Sequence, residues 1–274
     1  MVETRSTYRK RNLNYHCLDR PKKRKRCWED AKSVLIEMLR KRQRFASRRE
    51  RLTHEELRRL FDTGQNEKYG VGVRYVERKN RKGIIVCLPG IGGGYSGPTN
   101  LFEKIARQRS FSTLILNTGY DPNVAKQIAM YAMIWLRKNK NAERVVLIGY
   151  SMGVATAAHV VQRNADIIVG VCGVSSQSAH THGLTKIHQD ARVLLLHHAH
   201  DCILPRKESA EMIYKMLKSE NVNTNLQIFG EKKRHGASNK KSSSSGLECL
   251  REHTLFDEID VVFETVRMFI RNVL

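Results

Sequence analysis

The chain has 274 residues and a formal net charge of +22, from 49 Lys and Arg against 27 Asp and Glu. This length allows one domain of ordinary size plus an extension, with enough chain to bury a core. No stretch approaches the roughly 20 apolar residues of a membrane-spanning helix, and the charged N-terminus lacks the apolar segment of a secretory signal. These features predict an intracellular protein, cytoplasmic or nuclear, without a membrane span.

The positive charge is concentrated at the front of the chain, where residues 1–82 hold 26 Lys and Arg against 11 Asp and Glu. Such asymmetry is typical of a segment that binds nucleic acid or another polyanion, and equally of a solvated tail without a dedicated partner. Residues 1–27 lack hydrophobic periodicity and are predicted to be disordered. They include the run PKKRKR at residues 21–26, which resembles a nuclear import signal.

Helical patterns follow this disordered stretch. Apolar residues at helical spacing over 28–45 predict an amphipathic helix that docks on the main domain or binds a partner. Thr53 and Glu56 form a capping-box pattern, with a helix stop at Gly64. We therefore predict a basic extension over 1–70, helical over 28–63, and a globular domain over 71–274.

Short apolar strands alternate with helices from about residue 71 onward. After an alternating edge strand near 71–75, the strand patterns cover residues 84–88, 113–116, 145–148, 167–171, 193–196 and 226–229. Helical patterns cover residues 98–109, 122–139, 152–164, 206–219 and 258–272, and Ser242–Ser245 mark a flexible insertion within 231–247. Nearly continuous apolar strands separated by helices predict a doubly wound α/β fold with a mostly parallel sheet, covered on both faces.

One strand-to-helix junction carries a recognisable motif, Gly149-Tyr-Ser151-Met-Gly153. A serine at the tip of such a tight turn takes a strained backbone conformation, and flanking glycines remove side chains that would collide with the neighbouring main chain. The turn leaves the Ser151 hydroxyl exposed above the sheet edge and directs the Met152 N–H toward a developing oxyanion. Ser151 is therefore the candidate nucleophile.

A serine nucleophile needs a base and an orienting carboxylate, which in this fold come from loops at the carboxyl ends of later strands. Asp201 follows the strand 193–196 and is the candidate acid, with an N-cap or turn aspartate as the structural alternative. Asp166 and Asp190 precede strands and belong to the opposite edge. For the base, both His235 and His253 follow the last strand.

The surroundings of these two histidines differ. Lysines and an arginine flank His235, which disfavours an imidazolium ion. Leu255 and Phe256 follow His253 and can exclude water. Chemistry alone favours His253 slightly, and His235 stays the alternative base.

A glycine-rich loop, residues 88–97, follows the first parallel strand. Its glycines let backbone N–H groups turn toward a ligand, and we expect Ile91, then Gly92, to provide the second oxyanion donor. The same loop contains G-x-G-x-x-G from Gly92 to Gly97, the dinucleotide fingerprint. The next strand ends at Asn117 rather than at an acidic residue that binds ribose, which disfavours that alternative. A phosphate-binding P-loop is excluded because Gly-Lys-Ser/Thr is missing.

Cysteine and histidine patterns give no metal or disulfide motif. The six cysteines form no C-x-x-C pair and no disulfide framework, which favours unpaired thiols in a reducing compartment. Histidines cluster at 180–182 and 197–200, but they lack acidic or thiolate partners at ligand spacing. We expect neither a metal nor a cofactor.

With the glycine-rich loop, the serine turn, Asp201 and a late histidine in this order, residues from about 71 to the C-terminus resemble the α/β-hydrolase superfamily. More narrowly, they are similar to small serine hydrolases of the esterase and dienelactone-hydrolase kind. The HH-x-x-D turn at His197 and the Cys249 that lies four residues before His253 resemble some bacterial members. This resemblance implies His253 as the base, with Ile91 and Met152 as oxyanion donors.

The resemblance implies an ester hydrolase that forms an acyl-enzyme, acting on a small-molecule or acylated substrate; a thioester or an amide is a less favoured substrate. Only a short polar stretch separates the strands 167–171 and 193–196, so we expect no lid, an open site and a short acyl group. An acyltransferase would use the same residues. The alternative from another class is an inactive hydrolase scaffold whose basic N-terminus binds an anionic partner such as nucleic acid.

Overall fold

A computed structural model of the chain describes residues 51–78, 83–231 and 246–274. The disorder predicted for 1–27, the helix predicted for 28–45, the Ser242–Ser245 stretch and the alternative base His235 all lie outside these residues. No helix of the described part of the chain is long and apolar enough to cross a membrane.

The described residues form one eight-stranded sheet with the strand order β1-β2-β4-β3-β5-β6-β7-β8. Strands β3 to β8 run parallel to their neighbours, whereas β1 and β2 are antiparallel additions at one edge. The strands are Gln65–Asn66 (β1), Val71–Val76 (β2), Ile84–Leu88 (β3), Ser112–Asn117 (β4), Val145–Tyr150 (β5), Ile168–Val174 (β6), Arg192–His198 (β7) and Thr224–Phe229 (β8). The predicted doubly wound α/β fold is confirmed.

Helices cover both faces of this sheet. They are His54–Thr63 (α1), Leu101–Ala106 (α2), Pro122–Lys140 (α3), Met152–Asn164 (α4), Ala210–Ser219 (α5), Gly246–His253 (α6) and Ile259–Val273 (α7), with short 3₁₀ turns at Pro98–Asn100 and His182–Lys186. Successive strand side chains point to opposite faces. In β3, Val86 therefore belongs to the hydrophobic cluster on the face that α1, α3 and α4 cover, whereas Cys87 belongs to the cluster on the face that α2 and α7 cover.

Helix α1 belongs to the same hydrophobic core as the sheet. Its start is the predicted capping box, with Thr53 Oγ1 accepting from the Glu56 N–H and Glu56 accepting from the Thr53 N–H. It ends at Gly64 in the left-handed conformation. Leu60 of this helix is fully buried in that core, and the division of the chain between residues 70 and 71 stays a prediction.

Two helical predictions differ from the structure. The helix predicted to begin at residue 206 begins at Ala210, because the backbone of Ser209 is not helical (φ −125°, ψ −94°). The flexible insertion predicted over 231–247 is too long at its far end, since α6 starts at Gly246. His253 therefore ends a helix instead of lying in a loop.

Candidate active site

Ser151 lies at the junction of β5 and α4, in the strained turn predicted for it. Its backbone angles are φ 51° and ψ −116°, a conformation that residues other than glycine rarely adopt. The Ser151 N–H donates to the Val174 carbonyl at 2.9 Å, which ties the turn to the end of β6. The hydroxyl therefore lies at the carboxyl edge of the sheet, where α/β folds bind ligands.

The flanking glycines are required by close backbone contacts. A Cβ atom on Gly153 would lie 2.1 Å from the Leu88 carbonyl oxygen, and one on Gly149 would lie 2.8 Å from the backbone of Gly153. A Cβ atom on Gly90 would lie 3.2 Å from the Cβ atom of Ser151. The main chain of the glycine-rich loop therefore packs directly against the serine turn.

Asp201 and His253 meet Ser151 at this edge. Asp201 Oδ1 accepts from the backbone N–H groups of Ile203 at 3.0 Å and Leu204 at 2.9 Å, which fixes the carboxylate after β7. The other carboxylate oxygen, Oδ2, lies 2.8 Å from His253 Nδ1. His253 Nε2 in turn lies 3.3 Å from Ser151 Oγ.

These contacts define a tautomer of His253. Since a carboxylate only accepts hydrogen bonds, Nδ1 carries the proton and Nε2 is left to accept the Ser151 hydroxyl proton. Asp201 and His253 are both buried, at 3% and 5% exposure, so water competes little for their hydrogen bond. The arrangement supports proton transfer from serine to imidazole.

Tyr150 provides an aromatic wall for the imidazole. Its ring centroid lies 5.3 Å from that of His253, and it also contacts the position that a Gly90 side chain would occupy. Burial, and to a lesser extent the negative charge of Asp201, raise the pKa of the Tyr150 hydroxyl. Tyr150 therefore stays neutral and shields the Asp201–His253 pair.

The sequence motifs did not reveal the contribution of Ser175. This fully buried residue follows β6, and its Oγ donates to the His253 carbonyl at 2.6 Å. Its backbone also has a positive φ of 46°, while its N–H donates to the Leu196 carbonyl. Ser175 thus holds the main chain of His253 to the centre of the sheet, although 78 residues separate them.

A second imidazole lies beside the acid. His197, fully buried at the end of β7, donates from Nε2 to the Leu204 carbonyl at 2.8 Å, and the same nitrogen lies 3.6 Å from Asp201 Oδ2. Burial lowers the pKa of His197 despite the opposing effect of the carboxylate. This neutral ring holds the loop that carries Asp201.

One expectation about the cysteines is wrong. Cys202 and Cys249 form a disulfide with a Cα–Cα distance of 5.4 Å, within the usual range. The expectation of unpaired thiols failed because the two residues lie 47 positions apart and only the tertiary fold brings them together. Cys87 and Cys172 are free and buried.

The oxyanion prediction rests on two backbone segments beside Ser151. Met152 is the first residue of α4, and Ile91 lies in the glycine-rich loop one residue after Gly90. The loop is held by Asn117, whose Oδ1 accepts from the Gly94 N–H at 2.8 Å. The roles of Met152 and Ile91 as donors stay predictions.

Polar residues near a possible nucleotide or metal site make structural contacts instead. Asn117 also donates to the Gly70 carbonyl, and Asp121 caps α3 by accepting from Asn123 and Val124, so neither side chain is directed to a nucleotide ribose. Asp166 pairs with Arg137 at the opposite edge of the sheet. The described residues contain no group of three or more His, Cys, Asp or Glu side chains that could hold a metal ion.

A doubly wound sheet with a serine at this strained turn defines an α/β hydrolase, and solved structures share the fold. Est1E from Butyrivibrio proteoclasticus aligns with a TM-score of 0.56 at 11% identity, over 76% of this chain and 96% of that one. An α/β serine hydrolase homologue from Coxiella burnetii gives 0.52 at 13%, over 77% and 95%. Esterase PE8 gives 0.54 at 16%, over 74% and 99%.

The family is shown by a comparison of the amino-acid sequence with models of known families. The model of the dienelactone hydrolase family matches residues 76–255, more than half of the chain, so the chain belongs to this family. No curated protein matches the chain. Membership of this family supports hydrolase activity for the protein.

Proposed function

We propose that the protein is a serine hydrolase that cleaves a carboxylic ester through Ser151, His253 and Asp201. The observation that carries the proposal is the continuous chain of contacts from Ser151 Oγ to His253 Nε2 at 3.3 Å and from His253 Nδ1 to Asp201 at 2.8 Å. These residues come from three separate segments of the chain. A purely structural role does not require a hydroxyl, an imidazole and a carboxylate in this order at a sheet edge.

In the proposed mechanism, Ser151 Oγ attacks the acyl carbon while His253 Nε2 takes its proton. Asp201 holds the imidazole in the required tautomer and stabilises the imidazolium ion. The N–H groups of Met152 and Ile91 stabilise the oxyanion. His253 then protonates the leaving alcohol, and water releases the acyl group from Ser151 by the same steps.

The short connection between β6 and β7 supports a small acyl group. Residues 175–191 contain one 3₁₀ turn, His182–Lys186, and no inserted domain that would cover a long acyl chain. An ester with a short acyl group, either free or attached to a larger molecule, fits such an open site. A thioester or amide is less favoured, and an acyl acceptor other than water would use the same residues.

The test is turnover of p-nitrophenyl acetate and labelling by a fluorophosphonate with the purified full chain. We expect Ser151→Ala to abolish both, whereas Ser219→Ala, at an exposed serine near the end of α5, should change neither. Equal labelling of the Ser151→Ala variant would refute the proposal. His253→Ala should abolish turnover and His235→Ala should retain it; the reverse result would assign the base to His235.

The charge distribution supports a second candidate, an inactive scaffold that binds a polyanion. The excess of 26 Lys and Arg over 11 Asp and Glu in residues 1–82 is the favouring observation. Salt-dependent binding of single-stranded or duplex DNA, lost on deletion of residues 1–50, together with no turnover and no fluorophosphonate label, would support this candidate. Turnover that is lost in the Ser151→Ala protein would refute this second candidate.

A further inference from the structure

The disulfide joins the two chain segments that carry the proposed acid and base. Cys202 directly follows Asp201, and Cys249 lies one helical turn before His253 on α6. The two sulfur atoms therefore form a covalent link parallel to the hydrogen bond between Asp201 and His253. No other disulfide is present in the part of the chain that the structure describes.

Helix α6 buries little of its side-chain surface in the core. Of the side chains described in it, His253 alone is buried, whereas Glu248 and Leu250 are exposed. A helix of eight residues is marginal unless packing stabilises it. Its polar contacts include the Ser175 bond to the His253 carbonyl, the contact of the His253 side chain with Asp201, and the ion pair of Arg251 with Asp257. The disulfide adds a covalent anchor one helical turn before His253.

We propose that the Cys202–Cys249 disulfide is a reducible clamp that positions His253, so that the hydrolase is active when the pair is oxidised and weakly active when it is reduced. This inference rests on the proposed function. Breaking the link frees the first part of α6 and allows the imidazole to move from Ser151 and Asp201. A displacement of about 1 Å at a catalytic group lowers a rate by roughly a hundredfold.

The link is accessible to a thiol reductant. Cys202 is exposed, and so is the adjacent Ile203. One thiolate of a dithiol attacks a disulfide sulfur and forms a mixed disulfide with one cysteine, while the other cysteine leaves as a thiolate. The second thiol of the reductant then displaces the bound cysteine, so that two cysteine thiols and one oxidised dithiol result, with two electrons and two protons transferred.

The other described cysteines do not compete in this exchange. Burial raises the pKa of both the Cys87 and the Cys172 thiol, and neither is in contact with solvent. Where disulfides do form in a reducing compartment, they are usually transient and either catalytic or redox-sensing. The exposed position of Cys202 beside the proposed site agrees with such a role.

The experiment compares the full chain after oxidised glutathione with the same protein after dithiothreitol. Turnover of p-nitrophenyl acetate is measured in both states, and alkylation followed by mass spectrometry identifies the thiols. We expect kcat to fall roughly ten- to hundredfold on reduction, with KM and the far-ultraviolet circular dichroism little changed, and to recover on reoxidation. Recovery of kcat on reoxidation, with KM and the circular dichroism little changed throughout, distinguishes a displaced His253 from a general loss of stability.

Two variants assign the effect to this pair. The Cys202→Ser/Cys249→Ser protein should have the low kcat of the reduced wild type under both conditions. The matched Cys172→Ala protein, which keeps the disulfide, should keep the full response to the reductant. A response that persists without Cys202 and Cys249 would overturn the inference.

Three further outcomes would also overturn it. These are kcat within threefold in both states when Cys202 and Cys249 are shown to be reduced, thiols at both positions after oxidised glutathione, or loss of the native circular dichroism on reduction. The first of these leaves the proposed hydrolase intact. No turnover and no fluorophosphonate label in the oxidised protein would instead refute the proposed function and this inference with it.

Discussion

Substituting Gly153 by alanine tests whether the close backbone packing of the serine turn positions the nucleophile. The new Cβ atom would lie 2.1 Å from the Leu88 carbonyl oxygen, whereas ordinary contact begins near 3.4 Å, so the two must separate by about 1.3 Å. Leu88 belongs to β3 and is fully buried, so α4 and the Ser151 turn must move instead. A shift of this size lowers kcat by about a hundredfold and destabilises the fold by about 1–3 kcal/mol.

The assay is p-nitrophenyl acetate turnover, together with the fluorophosphonate labelling rate and the thermal midpoint. Gly70→Ala is the matched control. A Cβ atom there meets no atom within 4 Å, but φ is +61°, so alanine costs about 1–2 kcal/mol of stability without a change in kcat. If Gly153→Ala kept kcat within threefold while the midpoint fell as in the control, the packing of the turn would not position Ser151.

Three other substitutions test contacts described above. Ser175→Ala removes the hydrogen bond to the His253 carbonyl, so we expect kcat to fall about tenfold with KM unchanged; Ser178→Ala, which also loses a bond to a carbonyl, is the control. Thr53→Ala should lower the free energy of unfolding by about 1 kcal/mol without affecting turnover, and an unchanged denaturant midpoint would contradict the capping role. Burial lowers the pKa of His197, so the unfolded state binds its proton first and stability should fall as the pH drops below about 6.5. His197→Gln should weaken that dependence of the thermal midpoint, and an equal slope would assign it to other groups.

The parts of the fold that the sequence predicted well are those with local causes. The strand of Ile84–Leu88 is buried at every position and therefore reads as an unbroken apolar run. The serine turn is predictable because the backbone atoms that leave no room for a side chain at Gly149 and Gly153 lie only a few residues away or on the neighbouring strand. Asp121 caps α3 from the adjacent position, and an aspartate followed by proline is a typical local helix start.

The parts that it did not predict depend on partners far along the chain. Ser175 contacts a carbonyl 78 residues away, and no pattern around Ser175 distinguishes it from an ordinary loop serine. Cys202 and Cys249 likewise come together only because β7 and α6 meet. Charge and sequence neighbours favour His253 over His235 only slightly, because the choice depends on which segment reaches the sheet edge.

The contacts around the serine turn are made by main-chain atoms: Gly149 on Gly153, Gly153 on Leu88, and Ser151 on Val174. Such contacts do not depend on which apolar side chains fill the interior, so core residues can be exchanged during evolution while the hydroxyl keeps its place. The imidazole, by contrast, depends on particular side chains, Ser175 and Cys249. Divergence among relatives should therefore leave the serine turn recognisable and concentrate its functional consequences at the segment that carries the histidine.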